Sequence, residues 1–223
     1  TINEYVTSFP KLFKIVTNDK NIGLGYSLNK GLKECRNELV ARMDTDDISK
    51  PNRCKMQLAA FAANPNLDIV GAYVDEFITT PLNIISTRIV PNMHKDIYNF
   101  AKRRSPFNHP VVMYRKSKVL KNGGYSNLRR NQDVDLFGRM LFHGCIAQNI
   151  DESLLWFRCS NELAKRRKSW ENTKSYIDTI RGFWKMGFAS FNDYFFVAII
   201  QMAVFIIPVQ LQHWVYKRII RKQ

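Results

Sequence analysis

The stretch ELVARMDTDD, residues 38–47, joins a short apolar run directly to three carboxylates. The run Glu38–Met43 predicts a strand that leads straight into Asp44. In open α/β sheets, ligands bind beyond the carboxyl ends of strands. Carboxylates this close together repel one another, so the fold must supply a cation or a cationic partner. A hard divalent metal that carries phosphate oxygens fits such ligands, and a solvated acidic turn that caps the next helix is the alternative.

Helices and strands alternate on both sides of this stretch. Strands are predicted at Phe13–Thr17, Glu38–Met43, Asp68–Val74, Ile84–Val90, Val111–Tyr114 and Ser153–Arg158. Helices are predicted between Leu24 and Cys35, from Pro51 to the turn at Asn64-Pro65-Asn66, near His94–Arg104, and at Asp133–Phe142. This alternation predicts an α/β domain with a largely parallel sheet.

Composition narrows the class of protein. A chain of 223 residues with 45% hydrophobic and 13% aromatic residues is not a disordered one. Its formal net charge of +15 implies an anionic partner, which is a nucleic acid, a nucleotide substrate or an acidic lipid surface. About half of that charge lies in residues 163–223, which hold eleven Lys and Arg against three acidic residues. The four cysteines have no zinc-type spacing and are expected to be reduced thiols.

Two further polar motifs stand beside predicted elements. The run NQDVD, residues 131–135, lies at a helix start, where Asp side chains commonly cap the helix. His109, in Asn108-His109-Pro110, precedes a predicted strand, and a lone His is more often structural than catalytic. Taken singly, each motif favours the structural interpretation.

Four segments nevertheless occur in a definite order. They are NIGLGYSLNKGL at 21–32, ARMDTDDISKPNR at 41–53, PFNHPVVMYRKS at 106–117 followed by GGY at 123–125, and QDVDLF at 132–137. In this order they resemble the helix, D-x-D, acceptor-side and E-D-x-D-L-W segments of family 2 glycosyltransferases, which have the GT-A fold. The branch that they most resemble builds bacterial capsule, exopolysaccharide and O-antigen repeat units.

The chain departs from the family pattern in two places. Family members begin with a strand, a P-x-Y-N-type segment and an acidic turn that grips the nucleotide base, and none of these precedes Thr1. The resemblance therefore suggests a GT-A domain that lacks its first strands and binds the base poorly. Gln132 stands where the family usually has Glu, while the adjacent Asp133 matches the family's presumed base.

On the donor side, the resemblance implies a divalent metal site. Asp44 and Asp46 would hold a Mn²⁺ or Mg²⁺ ion that bridges the two phosphates of a nucleotide sugar. Asp46 would be the direct ligand, and Asp44 would reach the ribose or a metal-bound water. Arg42 and Asn29, which lie in the matching segments, complete the predicted nucleotide-binding set.

On the acceptor side, the resemblance implies that Asp133 is the general base of an inverting hexosyl transfer from a UDP-sugar. Asp135 would orient that base or cap its helix, and His109 would shape the acceptor pocket. The implied acceptor is a saccharide linked to a lipid diphosphate. Arg103 and Arg104 could meet that diphosphate, and they could equally be solvated surface.

The C-terminal quarter predicts contact with an anionic membrane surface. We expect a catalytic domain over residues 1–160 and a basic, hydrophobic helical region over residues 161–223. The apolar run Tyr194–Val209 has 16 residues, short of the ~20 that span a bilayer. An interfacial helix is therefore favoured, with Trp214 and Tyr216 at headgroup depth and terminal Lys and Arg on anionic lipid. A shallow insertion or true span remains an alternative, as does a buried core helix that packs on the missing part. We expect the protein at the cytoplasmic face of the inner membrane, peripheral or shallowly inserted.

Two other functions compete with sugar transfer. A metal-dependent phosphotransferase can use a strand-end D-x-D nucleophile, but it usually has Thr or Val where Ile48 stands. A basic module that binds membrane or nucleic acid would explain the charge. No nucleic-acid partner is expected, because the charge lies beside an apolar helix and the sequence holds no recognition motif.

Overall fold

A computed structural model of the chain describes residues 2–160 and 169–206. Its strands are β1 (Leu39–Ala41), β2 (Ile48–Ser49), β3 (Leu67–Phe77), β4 (Ile84–Arg88), β5 (Met113–Arg115) and β6 (Ile146–Arg158). Its helices are α1 (Ile2–Ser8), α2 (Leu24–Glu34), α3 (Arg53–Ala63), α4 (His94–Ala101), α5 (Lys116–Lys121), α6 (Gln132–Phe142), α7 (Trp170–Lys185) and α8 (Phe191–Ile206), and a 3₁₀ turn at His109–Val111 precedes β5. The predicted α/β class is confirmed.

The sheet is mixed rather than largely parallel. Its strands run in the order β1-β5-β3-β6-β2, and β4 pairs with β3. Among the described strands, β3 and β6 form the one parallel pair, from Leu67 opposite Ile146 to Phe77 opposite Arg158. The other pairs are antiparallel. The prediction of a largely parallel sheet was wrong, because alternation along the chain does not determine which strands become neighbours.

Several predicted elements differ from the observed ones, three of them most clearly. The run Phe13–Thr17 forms no strand, and the side chains of Phe13, Ile15 and Val16 are exposed. Its β-branched residues favour a strand, but backbone groups in a strand need a partner, and no described strand pairs with this run. The helix expected from Pro51 begins at Arg53, after a turn. The last strand is longer than predicted because β6 pairs with β3 from Ile146 onward.

The main hydrophobic core brings the last two helices onto the sheet domain. Phe137 and Met140 of α6 share one buried cluster with Ile180 and Phe183 of α7. Gly138 permits this close contact, since a Cβ there would lie 2.1 Å from the Phe183 ring. The predicted boundary between residues 160 and 161 stays a prediction, although α7 packs into the same core as α6.

Candidate active site

The carboxylates of the D-x-D segment converge in the loop between β1 and β2. Asp44, Asp46 and Asp47 each offer one carboxylate oxygen, and these oxygens lie within 4.8 Å of one another. Asp44 is half-buried, Asp46 is exposed and Asp47 is buried. Oxygen donors at this spacing are the kind that Mn²⁺ and Mg²⁺ prefer. The acidic cluster formed by these three residues therefore fits a hard divalent cation.

Asp47 supplies an independent sign of that fit. Its Oδ1 accepts a hydrogen bond from the backbone N–H of Arg158 at 2.9 Å, while its Oδ2 is buried and has no hydrogen-bond partner. The pKa of Asp47 is raised to about 6, chiefly by burial and also by the charges of Asp46 and Asp44, while the hydrogen bond from the Arg158 backbone and the charge of Arg42 oppose the shift. A buried oxygen without a partner is costly, and a cation beside it would offset that cost.

Arg42 is a buried cation beside the acidic cluster. Its backbone N–H donates to the carbonyl of Val112 at 2.9 Å, which continues the β1–β5 pairing by one residue. Its guanidinium donates to both oxygens of Asp44, with Nη1 2.6 Å from Oδ2. Its carbonyl in turn accepts a hydrogen bond from the guanidinium of the buried Arg53. Hydrogen bonds thus hold both the backbone and the guanidinium of Arg42 in place.

Asp133 lies in the first turn of α6 and is partly buried. Burial raises the pKa of its carboxyl, while hydrogen bonds from the backbone N–H groups of Asp133 and Val134 lower it. The charge of Arg42 lowers the same pKa, and that of Asp44 raises it. The fold therefore brings the acidic cluster and Asp133 within electrostatic reach of one another, although 86 residues separate Asp47 from Asp133 in the sequence.

His109 lies in a buried polar group beside Arg42. Its Nε2 is 2.9 Å from the hydroxyl of Tyr125, which is 3.4 Å from the hydroxyl of Tyr114. Burial, and then the charge of Arg42, holds the pKa of His109 well below its usual value. Burial likewise raises the pKa of Tyr125 well above its usual value. These groups are therefore neutral near pH 7 and can offer hydrogen bonds to an uncharged hydroxyl.

Asn29 and Asp135 both support the turn that carries Tyr125. Asn29 Nδ2 donates to the Tyr125 carbonyl at 2.7 Å, and its Oδ1 accepts from the Tyr125 N–H at 2.8 Å. Asp135 Oδ2 accepts from Arg139 at 2.8 and 3.0 Å, and Arg139 donates to the Gly124 carbonyl at 2.8 Å. Gly124 is required here, because its φ is +66° and a Cβ would lie 2.5 Å from Asn29 Oδ1. Direct contacts from Asn29 to a nucleotide and from Asp135 to an acceptor stay predictions.

Arg103 and Arg104 follow α4, which ends at Ala101, and Arg103 lies beside the last two helices. Arg103 forms an ion pair with Asp193 and lies 5.1 Å from the centre of the Phe196 ring. Arg104 lies 5.4 Å from the centre of the Phe100 ring. Contact of either residue with a diphosphate stays a prediction.

The predicted apolar run is described as far as the end of α8, at Ile206. Within residues 2–160 and 169–206, no helix has both the length and the apolar character needed to cross a membrane. The basic run 165–168 and the predicted interfacial residues Trp214, Tyr216 and the terminal Lys and Arg lie outside the described residues.

The sequence pattern assigns no role to three residues of the site, which are Tyr125, Asp47 and Arg158. Tyr125 followed a double glycine, which signalled a turn but not its hydroxyl contacts. The sequence groups Asp47 with the other two carboxylates but gives no sign that one of its oxygens is buried. Arg158 carried no local signal, because its bonds to Asp47 and to the Asp46 carbonyl, at 2.9 and 3.0 Å, join residues more than 110 positions apart.

Comparison with known sequences gives one matching family and several long relatives. The sequence profile described as Glycosyl transferase family 2 matches residues 1–124. A protein of Escherichia coli named UDP-Gal:alpha-D-GlcNAc-diphosphoundecaprenol beta-1,3-galactosyltransferase is 33% identical over 223 residues, which cover 99% of this chain and 81% of that protein. The amylovoran biosynthesis glycosyltransferase AmsE of Erwinia amylovora is 32% identical over 92% of this chain and 76% of its own length.

Solved structures share the fold at low identity. Staphylococcus aureus TarS 1-349 in complex with UDP-GlcNAc matches with a TM-score of 0.59 and 13% identity, over 97% of this chain and 60% of that one. The mannosyltransferase PcManGT of Pyrobaculum calidifontis, in complex with GDP-Man and Mn²⁺, matches with a TM-score of 0.58 and 13% identity, over 91% of this chain and 55% of that one. The likeness confirms the GT-A fold that the four segments predicted.

Proposed function

Because this chain belongs to glycosyl transferase family 2, we propose that it transfers a hexose from a UDP-sugar to a lipid-linked saccharide in surface polysaccharide biosynthesis. The observation that carries the proposal is the electrostatic coupling of Asp133 to Arg42 and Asp44. A cluster suited to a diphosphate-bound cation is thus within electrostatic reach of a carboxylate suited to accept a proton. Both are needed for sugar transfer from a nucleotide diphosphate.

On the donor side, Asp46 and Asp44 would hold Mn²⁺ or Mg²⁺, with Asp47 as the buried carboxylate behind them. When bound, the ion would neutralise charge on the departing diphosphate. Arg42 holds Asp44 in place through two hydrogen bonds. Arg158 ties the loop down from the end of β6 through the backbone of Asp46 and the side chain of Asp47.

Asp133 accepts the proton of the acceptor hydroxyl during transfer. The hydroxyl oxygen bonds to the anomeric carbon as the bond from that carbon to the phosphate oxygen breaks, and the nucleoside diphosphate leaves. Attack from the face opposite the leaving group inverts the anomeric centre, so a UDP-α-hexose gives a β-linkage. A well-placed carboxylate base contributes roughly 10²–10⁴-fold to the rate.

The acceptor side is supported by neutral groups around His109. His109 and Tyr125 are both uncharged near pH 7, and burial shifts the pKa of each group further in the direction that favours its neutral form. Neutral donors and acceptors suit sugar hydroxyls, which carry no charge. The name of the Escherichia coli relative specifies a UDP-galactose donor and a GlcNAc-diphospholipid acceptor. These make the first donor and acceptor to try, and an acceptor of that kind would keep the protein at the cytoplasmic face of a membrane.

The decisive experiment is a transfer assay with the full chain. A panel of UDP-sugars is offered with a GlcNAc-diphospho-lipid acceptor and Mn²⁺, to the wild type and to Asp46→Ala and Asp133→Asn. We expect metal-dependent transfer from one sugar, abolished in Asp46→Ala and reduced at least 10²-fold in Asp133→Asn. Asp151→Asn is the matched control, since Asp151 is exposed and lies outside the site; it should transfer like the wild type.

The product distinguishes the mechanism. Proton NMR of the new linkage should show a β-anomer from an α-linked donor. An α-linked product would contradict the inverting mechanism, and full activity in Asp133→Asn would contradict the assigned base. Family membership favours sugar transfer over the phosphotransferase and nucleic-acid-binding interpretations, and neither is carried further.

A further inference from the structure

The outer face of α8 carries apolar side chains that are exposed to solvent in the part of the chain that the structure describes. The large residues of this apolar face are each 45–71% exposed; they are Phe191, Phe195, Phe196, Ile199, Ile200 and Ile206. A contiguous patch of this kind on a folded protein marks an interaction surface.

The orientation of α8 is fixed from its other side. Val197 is buried in the main core. Asp193 accepts hydrogen bonds from the backbone N–H and the hydroxyl of Ser190, at 2.9 and 2.7 Å, and pairs with Arg103. Asp193 in the first turn and Val197 in the second thus face the protein, so the apolar face cannot turn inward without breaking these contacts.

Two tryptophans of α7 stand at the two ends of the apolar face. Trp170 packs against Phe205 with ring centres 5.4 Å apart, and Trp184 stacks on Tyr194 at 5.7 Å. They are 14 residues apart on one helix, which is about 21 Å at the helical rise. Half-exposed tryptophans at the border of an apolar surface suit the boundary between lipid and water.

The helix that packs against α8 carries exposed cations. Lys174, Arg181 and Lys185 are exposed on α7, against one exposed acidic residue of that helix, Asp178. Arg103 lies against Phe196 of α8. This sign of charge complements anionic lipid. A second copy of the chain docked through the same face would bring like charges together, which opposes association.

We propose that the hairpin of α7 and α8 docks on an anionic bilayer, with the apolar face of α8 in the lipid interface and the cations of α7 on lipid phosphates. An exposed apolar helix face beside cations suits the plane of the lipid interface. The link to a lipid-linked acceptor rests on the proposed function. The docking surface itself rests on the exposed apolar residues of α8 and the cations of α7, which are independent of that function.

The docking hairpin is bonded to the loop that leads into Asp133. Ser175 Oγ donates to the Arg130 carbonyl at 2.8 Å, and Asn131 Nδ2 donates to the Asn172 carbonyl at 3.3 Å. Arg129 forms an ion pair with Glu171 at 3.0 Å. The helix that carries the cations therefore also positions the base, which would bring the saccharide of a lipid-linked acceptor to Asp133 at the membrane boundary.

Vesicle sedimentation tests the docking surface. The full chain is mixed with vesicles of phosphatidylcholine alone or with phosphatidylglycerol added. We expect strong binding to the anionic vesicles and at least tenfold weaker binding for Phe195→Asp/Ile199→Asp. The matched control is Leu82→Asp/Ile85→Asp, which changes two exposed apolar residues at β4 and should bind like the wild type. Replacing Lys174, Arg181 and Lys185 with Gln should weaken binding to the anionic vesicles about fivefold for each cation removed.

Three outcomes would overturn the proposal: no binding of the wild type to anionic vesicles, equal binding of both apolar variants, or a dimer that dissociates in Phe195→Asp/Ile199→Asp. Circular dichroism confirms that each variant is folded. Transfer to a short-chain, water-soluble GlcNAc-diphosphate acceptor separates the two proposals. Phe195→Asp/Ile199→Asp should keep that transfer, and Asp133→Asn should lose it while still binding vesicles.

Discussion

The guanidinium of Arg42 acts on both acidic groups of the site. It bonds directly to Asp44, and its charge lowers the pKa of Asp47 and of Asp133. Because Arg42 is buried, water screens that charge less than it would at the surface. A base must be ionised to accept a proton, and Arg42 favours the ionised form of Asp133 against the effect of burial.

Asp133→Asn should make the protein more stable at neutral pH. Burial raises the pKa of Asp133 in the folded state, so the ionised carboxyl costs stability above that pKa. The cost disappears as the pH falls below the unfolded value near 3.8. We therefore expect the variant to melt at a higher temperature than the wild type at pH 7, with a difference that shrinks towards pH 4. Thermal melts across this range measure it.

Asp151→Asn is the control, because Asp151 is exposed and its exchange should give no pH-dependent difference. If Asp133→Asn melted lower than the wild type by the same amount at pH 4 and pH 7, the carboxylate would be a net stabilising group. The argument from burial would then be wrong.

Asn29→Ala should weaken the turn at Tyr125 rather than nucleotide binding. The change removes both hydrogen bonds to the Tyr125 backbone, at a cost of about 1–3 kcal/mol. We expect lower stability and lower turnover, with the Kd for UDP measured by calorimetry unchanged. Asn99→Ala, at an exposed position in α4, should leave stability and turnover as they are. A weaker Kd at unchanged stability would instead support the predicted nucleotide contact of Asn29.

At the scale of elements, the sequence pattern predicted those helices and strands whose positions depend on the local spacing of residues. The strand that leads to Asp44 and the helix that starts near Asp133 were recoverable, because their periodicity and their polar ends are local. Strand direction was not, since β3 has β5 on one side and β6 on the other through pairings that no local pattern encodes. The prediction of a strand at Phe13–Thr17 was wrong for the same reason, because β propensity does not determine whether a partner strand lies beside the run.

The contact between α6 and α7 depends on Gly138. Gly138→Ala would put a methyl group 2.1 Å from the Phe183 ring, and the resulting displacement should cost about 1–3 kcal/mol. Chemical denaturation measures the loss. Gly182→Ala is the matched control on α7, where a Cβ has nothing within 4 Å and should stabilise the helix by up to about 1 kcal/mol. Equal effects of the two changes would show that Phe183 does not sit against Gly138.

At the scale of the whole molecule, the site is an assembly of distant segments. Motif order predicted that Asp46 and Asp133 share a site, but not that Arg158 would close the acidic cluster or that Arg42 would act on both sides. Those contacts arise from the pairing of β1 with β5 and of β2 with β6. The charge of +15 indicated anionic partners, and the two proposals assign that charge to an anionic donor and an anionic surface.

Binding of a metal and a nucleotide at the acidic cluster should raise the unfolding temperature of the entire chain. A ligand that binds the folded state alone stabilises it by about 2.7 kcal/mol at 100 times its Kd. We expect Mn²⁺ with UDP to raise the Tm, a chelator to reverse the rise, and Asp46→Ala to lose it, because Asp46 is the exposed carboxylate of the cluster. Asp151→Asn should keep the full rise. A Tm that rose equally in Asp46→Ala would place Mn²⁺ elsewhere on the protein, and the buried oxygen of Asp47 would then need another partner.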